Sequence, residues 1–348
     1  MTDTMLAGRI NLETLDFNVE EVPIPEPAAD EVLLAVRAAG VCLSDLHIID
    51  GTLRLPANGA VTLGHEVAGV VQALGSAVPS SITVGQRVTL QAGQTCGNCA
   101  NCQLHKAPCL QPLTRGVHYN GGWAQYTTAR MDTLVPIPDD LPFDQAAIIP
   151  DAVSTPYGAI ATTANVRVAQ SAGVWGVGGL GAHAVQLLRI SGAAPIIAVD
   201  PLPAARDRAL TFGADLALDP AAPDFRDQVL AATNGRGLDH AFDFAGVQAV
   251  REQANAVLAP GGGLVLIGLT PEPLTITASV MFSALQHRLL GHYGYLPHHV
   301  AELVGLVGHG RLDLSKSISG HIPLAEAKEA VRRLAAKENN PIRLILIP

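Results

Sequence analysis

The stretch TCGNCANCQLHKAPC, residues 95 to 109, carries four of the chain's five cysteines, at positions 96, 99, 102 and 109. Thiolates at C-x2-C-x2-C-x6-C spacing can surround one zinc ion as a closed tetrahedral shell, which leaves no position for water or substrate. Cys96, Cys99, Cys102 and Cys109 therefore read as a structural zinc site, a staple rather than a place of chemistry. The fifth cysteine is different. Cys42 follows an apolar run in GVCLSDLH, and His65 and Glu66 stand together in TLGHEVAGVV. Taken singly, such residues are most often a small core cysteine and a packed histidine. Asp151, after the apolar run in IIPDAVSTPYGAI, is a third candidate ligand, or a simple loop acid. A Cys, a His and an Asp together would make a zinc site with three protein ligands and one open position.

A second constellation is GVGGLG, with Gly176, Gly178, Gly179 and Gly181. Its G-x-G-x-x-G spacing at 176, 178 and 181 follows an apolar strand pattern and opens a helical one, the context this motif requires. Bare glycines let the backbone approach a pyrophosphate, which then lies on the positive end of the helix. Asp200 closes the next strand pattern, PIIAVD, 19 residues after Gly181. A carboxylate there accepts hydrogen bonds from a ribose diol and repels a 2′-phosphate. Pro201 and Leu202 offer no cation, and Arg206 stands further along. The expectation is NAD rather than NADP.

These residues need elements to hold them. Up to about residue 150 the chain reads as short Val- and Leu-rich strands, such as EVLLAVRAAGV and HEVAGVVQALG, broken by Gly and Pro. From about residue 153 strands alternate with helices: AGVW, the glycine turn and its helix, PIIAVD, PAARDRALTFGA, DLALD, LDHAFDFAG, GGGLVLIGL. That rhythm predicts βαβ units and a doubly wound parallel sheet. The expected class is α/β, with a mostly β domain over 1–152 and 292–348 and a dinucleotide-binding Rossmann domain over 153–291.

The formal charge of −9 and the scattered Lys and Arg residues offer no stripe for a phosphate backbone, so nucleic acid is not expected as a partner. No apolar run is long enough to span a bilayer, and MTDTMLAGRINLETL lacks the basic start and apolar core of a signal peptide. The expected location is the cytoplasm, with no membrane partner.

GVCLSDLH, GHEVAGVV, CGNCANC, DAVSTPYGA, GVGGLG and PIRLILIP, in that order, give the chain a resemblance to the zinc-dependent medium-chain dehydrogenases/reductases of the alcohol dehydrogenase family over essentially its full length. The resemblance implies a GroES-like first domain and two zinc ions per subunit, the catalytic one on Cys42, His65 and Asp151. Glu66 would be an occasional alternative ligand or a field-tuning carboxylate. Ser44 matches a hydroxyl that takes the alcohol proton, and His47 a histidine that passes it to solvent. Thr155 and Leu180 match positions that press on the nicotinamide, Ile267 and Leu269 further cofactor contacts, and Arg343 a pyrophosphate partner. Two departures stand out. The last gap of the cysteine run is six residues where the family usually has seven, and Leu43 replaces an arginine found in some relatives.

The implied activity is hydride transfer between an alcohol and NAD. Ala92 and Gly93, residues 118–123, and either 281–285 or 293–296 would line the pocket; Ala92 stands where some relatives carry a bulky aromatic, which suits medium-sized hydrophobic secondary alcohols and ketones. An NADPH-dependent carbonyl or aldehyde reductase and a polyol dehydrogenase are the alternatives on this scaffold, and a cofactor-binding protein without catalysis is the alternative from another class. His298 and His299 read as surface residues, and the resemblance implies a homodimer or homotetramer, in which the strand near RLLGHYGYL pairs with its copy rather than leaving an open apolar edge.

Overall fold

Strand Glu31–Val41 shows how the first part of the chain builds towards its site. Buried residues alternate with half-buried ones up to Val36, and from Ala38 to Val41 every residue is buried. One face meets the core at first, and the end of the strand is enclosed on both faces just before Cys42. The strand pairs antiparallel with Val67–Leu74, Tyr126–Arg130 and Arg343–Ile347. In the computed structural model, which describes residues 3–53, 59–104 and 109–348, this sheet runs in the order Leu134–Pro136, Arg87–Leu90, Val67–Leu74, Glu31–Val41, Arg343–Ile347, Ile318–Pro323. Phe17–Pro23, Thr4–Asn11 and Ala60–Thr62 form a smaller sheet. Leu34, Val67, Leu90, Trp123 and Leu344 are among the residues of the core between them.

Two readings of this unit need correction. Trp123, expected in a substrate pocket, is fully buried; its Nε1 donates to the Gly40 carbonyl at 2.9 Å and its ring meets Phe17 edge-on. It supports the backbone beside Cys42 instead. His299, expected on the surface, is 2% exposed, and its Nδ1 accepts the Leu296 N–H at the start of helix Pro297–Gly308.

The chain divides into Met1–Ala152 with Leu296–Pro348, and Val153–Tyr295. In the second unit the strands Leu216–Leu218, Ile196–Val199, Ala172–Trp175, Leu238–Asp243, Leu258–Leu266 and Arg288–Gly291 lie side by side in that order, all parallel. Counted along the unit this is the 3-2-1-4-5-6 order of a doubly wound sheet, whose ligand crevice opens at the carboxyl ends where the winding reverses. The reversal falls between Ala172–Trp175 and Leu238–Asp243, and the glycine loop leaves the first of these. Ala172–Trp175 and Ile196–Val199 are buried at every residue, as parallel strands covered on both faces must be. The unit ends after Tyr295, beyond the break expected at 291, because His292 still belongs to it. Its Nε2 donates to the Thr155 carbonyl at 2.9 Å and its Nδ1 accepts from Thr163 Oγ1 at 2.8 Å. No helix among the described residues is long and apolar enough to cross a membrane.

Candidate active site

In the first unit three donors converge. Cys42 follows the central strand and caps helix Leu43–Ile49, His65 stands between strands Ala60–Thr62 and Val67–Leu74, and Asp151 lies in a single π-helical turn, Ile149–Val153. Such turns are rare and gather at functional sites. Asp151 Oδ2 is 3.4 Å from Cys42 Sγ and 3.4 Å from His65 Nε2, and the three ligand atoms lie within 4.8 Å of one another. A tetrahedral ion with bonds of about 2.0–2.3 Å holds its ligands roughly 3.3–3.8 Å apart, so the donors are spaced to take one. Electrostatics agrees with that fit. Burial opposes a charge on His65, yet Asp45, with hydrogen bonding to Asp151 and Cys42, holds its pKa well above the usual value. A metal ion at these donors would compete with the imidazolium proton, since ligation needs the neutral imidazole.

Asp45 was not recognised in the sequence, although it stands in GVCLSDLH. Fully buried, it accepts the Cys42 N–H at 2.9 Å through Oδ2, and its Oδ1 faces His65 Nδ1 at 3.4 Å. A carboxylate behind a histidine orients the ring so that the other nitrogen points at the donors. Ser44 Oγ lies 3.4 Å from Cys42 Sγ. His47 is three residues further along helix Leu43–Ile49, on the same face as Ser44.

Glu66 is not one of the converging donors. Its Oε1 accepts the Ala152 N–H at 3.0 Å and pairs with Arg343 Nη2 at 2.8 Å. Burial lifts its pKa to about 7 although the Arg343 charge pulls it down. Gly40 has room for this carboxylate only because it lacks a Cβ, which would overlap Glu66 Oε2. Arg343, expected at a pyrophosphate, is 2% exposed and is used here on Glu66, with Asp151 Oδ2 at 3.5 Å.

The four remaining thiols also meet. Cys96 and Cys109 Sγ are 3.5 Å apart, and Cys96–Cys102 and Cys99–Cys109 are 3.9 Å apart. These separations are far too long for disulfides and near the ~3.8 Å of a zinc tetrathiolate. The six-residue gap therefore does not keep Cys109 from its partners. Backbone N–H groups of Leu110 and Cys102 lower the Cys99 thiol to about 6, so one thiolate forms readily without metal.

In the second unit the glycines have separate duties. Gly176 has φ +87°, a conformation that side chains disfavour, and a Cβ on Gly181 would overlap the Gly176 carbonyl. Gly178 is constrained by neither: its φ is ordinary and a Cβ there would meet nothing within 4 Å. Glycine at that position keeps open a space the protein does not fill, which fits a pyrophosphate at the start of helix Gly181–Ile190. Gly179 and Leu180 complete the loop, and the Gly179 carbonyl accepts from His183 Nδ1 at 2.7 Å. Asp200 is 8% exposed; its Oδ2 accepts the Val177 N–H at 2.8 Å and its Oδ1 the Leu202 N–H at 2.9 Å. Arg206 turns to the Asp200 and Pro201 carbonyls and to Asp219. Thr155 and Ile267 are buried and Leu269 is half exposed. Asp243, also missed in the sequence, is buried with Arg251 at 2.8 Å and accepts the N–H groups of Ala245 and Gly246, which pins the turn after its strand.

A mostly β unit carrying a three-donor cation site, followed by a doubly wound nucleotide unit, is the plan of the medium-chain dehydrogenases. Residues 28–139 match the family model described as alcohol dehydrogenase GroES-like domain, and residues 179–308 match zinc-binding dehydrogenase. The chain is 30% identical to sorbitol dehydrogenase of Bacillus subtilis, over 96% of this chain and 95% of that protein. It is 28% identical to alcohol dehydrogenase of Cupriavidus necator, over 99% of both. Among solved structures, a Sinorhizobium meliloti protein bound to NADP superposes with a TM-score of 0.91 at 29% identity, covering 100% of both chains. Acetophenone reductase of Geotrichum candidum, in complex with NAD, gives 0.87 at 28%, covering 100% of this chain and 98% of that one. The chain belongs to the zinc-dependent medium-chain dehydrogenase family.

Proposed function

We propose that the protein is a zinc- and NAD-dependent alcohol dehydrogenase acting on medium-sized hydrophobic secondary alcohols and the corresponding ketones. The observation that carries this reading is the convergence of Cys42, His65 and Asp151; three protein ligands leave one position of a tetrahedral ion for substrate. A zinc ion there would polarise the alcohol oxygen and ease its ionisation, and the nicotinamide would accept the hydride. The chain's own residues do the rest. Asp45 keeps His65 aimed at the donor cluster. Ser44 Oγ, beside Cys42, accepts the hydroxyl proton, and His47 on the same helix face hands it to solvent. Glu66 pairs with Arg343 and so tempers the positive charge that Arg343 sets 3.5 Å from Asp151. Gly176, Gly178 and Gly181 cradle the pyrophosphate, and Asp200 has lone pairs left for the ribose diol after its two backbone bonds.

The test is turnover with zinc-loaded protein on a panel of primary, secondary and polyhydroxy alcohols, with NAD and NADP in parallel. We expect an apolar secondary alcohol to be oxidised with NAD at a kcat/KM at least about tenfold above that with NADP, the penalty for setting a 2′-phosphate against Asp200. Preference for NADP would move the reading to a carbonyl reductase, an outcome that the NADP-bound relative makes concrete. Preference for sugar alcohols would move it to a polyol dehydrogenase, as in the Bacillus subtilis relative.

We propose also that the chain assembles as a homodimer or homotetramer. Strand Arg288–Gly291 is an edge of its sheet, and Leu274, Val280, Met281 and Tyr293 in the same unit are exposed. An open edge with apolar neighbours is a pairing hazard unless it is covered. Light scattering at micromolar concentration should return twice or four times the monomer mass; a monomer would refute the assembly. All five cysteines are free thiols, which suits a reducing compartment such as the cytoplasm.

A further inference from the structure

Val177, between the first two glycines of the loop, has both of its backbone polar groups held by side chains from the next βα unit. Its N–H donates to Asp200 Oδ2 at 2.8 Å, and its carbonyl accepts from Arg208 Nη1 at 3.0 Å. Asp200 follows strand Ile196–Val199, and Arg208 belongs to helix Pro203–Thr211. The carbonyl of Val177 and the N–H of Gly178 share one trans peptide plane and must point in opposite directions. With the carbonyl tied to Arg208, the Gly178 N–H faces the other way. Gly178 is also the residue beside which a Cβ would meet nothing within 4 Å. Glycines flank Val177 on both sides, so without a tie this peptide could flip at little cost and present an oxygen where an anion has to sit. Arg208 is half-buried, and burial lowers its pKa while the Asp200 charge raises it. The two side chains hold the N–H and the carbonyl of the same residue, Val177. Arg206, two residues away, bonds instead to its own turn and to Asp219.

We infer that Arg208 is a positioning residue for the dinucleotide: it fixes the Val177–Gly178 peptide with its N–H available to the pyrophosphate, and it offsets the Asp200 charge that opposes a 2′-phosphate. The inference rests on the reading of the glycine loop as the dinucleotide site. It adds a residue outside the motif, one that would soften the discrimination exerted by Asp200.

Calorimetric titration of the full-length zinc-loaded protein with NADH and NADPH tests it, on wild type, Arg208→Gln, Arg208→Lys and Arg189→Gln. Arg189 is an exposed arginine of the same unit, paired with Asp215 and remote in bonding from the loop. Arg208→Gln should raise the Kd for NADH about tenfold, the loss of one charge-assisted hydrogen bond, and raise that for NADPH further because Asp200 is then uncompensated. Arg208→Lys keeps the charge and should restore the wild-type ratio of the two affinities, and Arg189→Gln should match wild type. Arg208→Gln with wild-type affinities, an equal loss in Arg189→Gln, or a melting temperature lowered enough to make the loss structural would each overturn the inference. A wild-type protein that binds neither dinucleotide would overturn the reading of the loop, and the inference with it.

Discussion

Asp151→Ala should lower kcat/KM about a thousandfold, ~4 kcal/mol of transition-state stabilisation, while the protein stays folded. The aspartate is one of three donors that converge among the described residues, and its Oδ2 is 3.4 Å from each of the other two. Losing it leaves a Cys–His pair that holds zinc weakly and at the wrong angle. For Glu66 to step in, it would have to give up the bonds of its Oε1 to Arg343 and to the Ala152 N–H. The fold should survive, because Arg343 keeps its 2.8 Å pair with Glu66 and His65 keeps Asp45 at 3.4 Å when the aspartate is removed. Metal analysis should give two zinc ions per subunit in wild type and one in the variant, the survivor held by Cys96, Cys99, Cys102 and Cys109. Asp151→Cys, which supplies a thiolate instead, should recover most of the activity. Full activity with full zinc in Asp151→Ala would show that Asp151 is no ligand.

Gly178→Ala should separate binding from stability. Its φ does not demand glycine and its Cβ would have free space, so the alanine should leave the melting temperature unchanged or slightly raised, a gain of at most ~1 kcal/mol from a stiffer unfolded chain. The methyl group would nevertheless occupy the space into which a pyrophosphate must come. The KM for NAD should rise about a hundredfold, ~2.7 kcal/mol, with kcat at saturating cofactor little changed. Gly181→Ala should behave in the opposite sense, because its Cβ would overlap the Gly176 carbonyl and unsettle the fold itself. A Gly178→Ala enzyme with an unaltered KM for NAD would refute the loop as a phosphate cradle.

What the sequence determined by itself was chemistry and rhythm. The type and spacing of Cys96, Cys99, Cys102 and Cys109 fit one metal shell, and their thiols do meet. The change from short strands to strand–helix alternation near residue 153 specified the doubly wound sheet, because burial on one helix face or both strand faces is written locally in apolar periodicity. Directions and long-range partners were not written there. Asp151 joins Cys42 across 109 positions through a π-helical turn that no periodicity announces. Glu66 and Arg343 form a buried pair, Trp123 supports Gly40 from within the core, and His299 caps a helix from inside. Asp45 faces a ring nitrogen of His65, and Arg208 bonds the Val177 carbonyl. Which way a ring or a peptide points follows from rotamers and backbone angles set by packing, so the donors could be named from the sequence but only the tertiary structure decided how each is held.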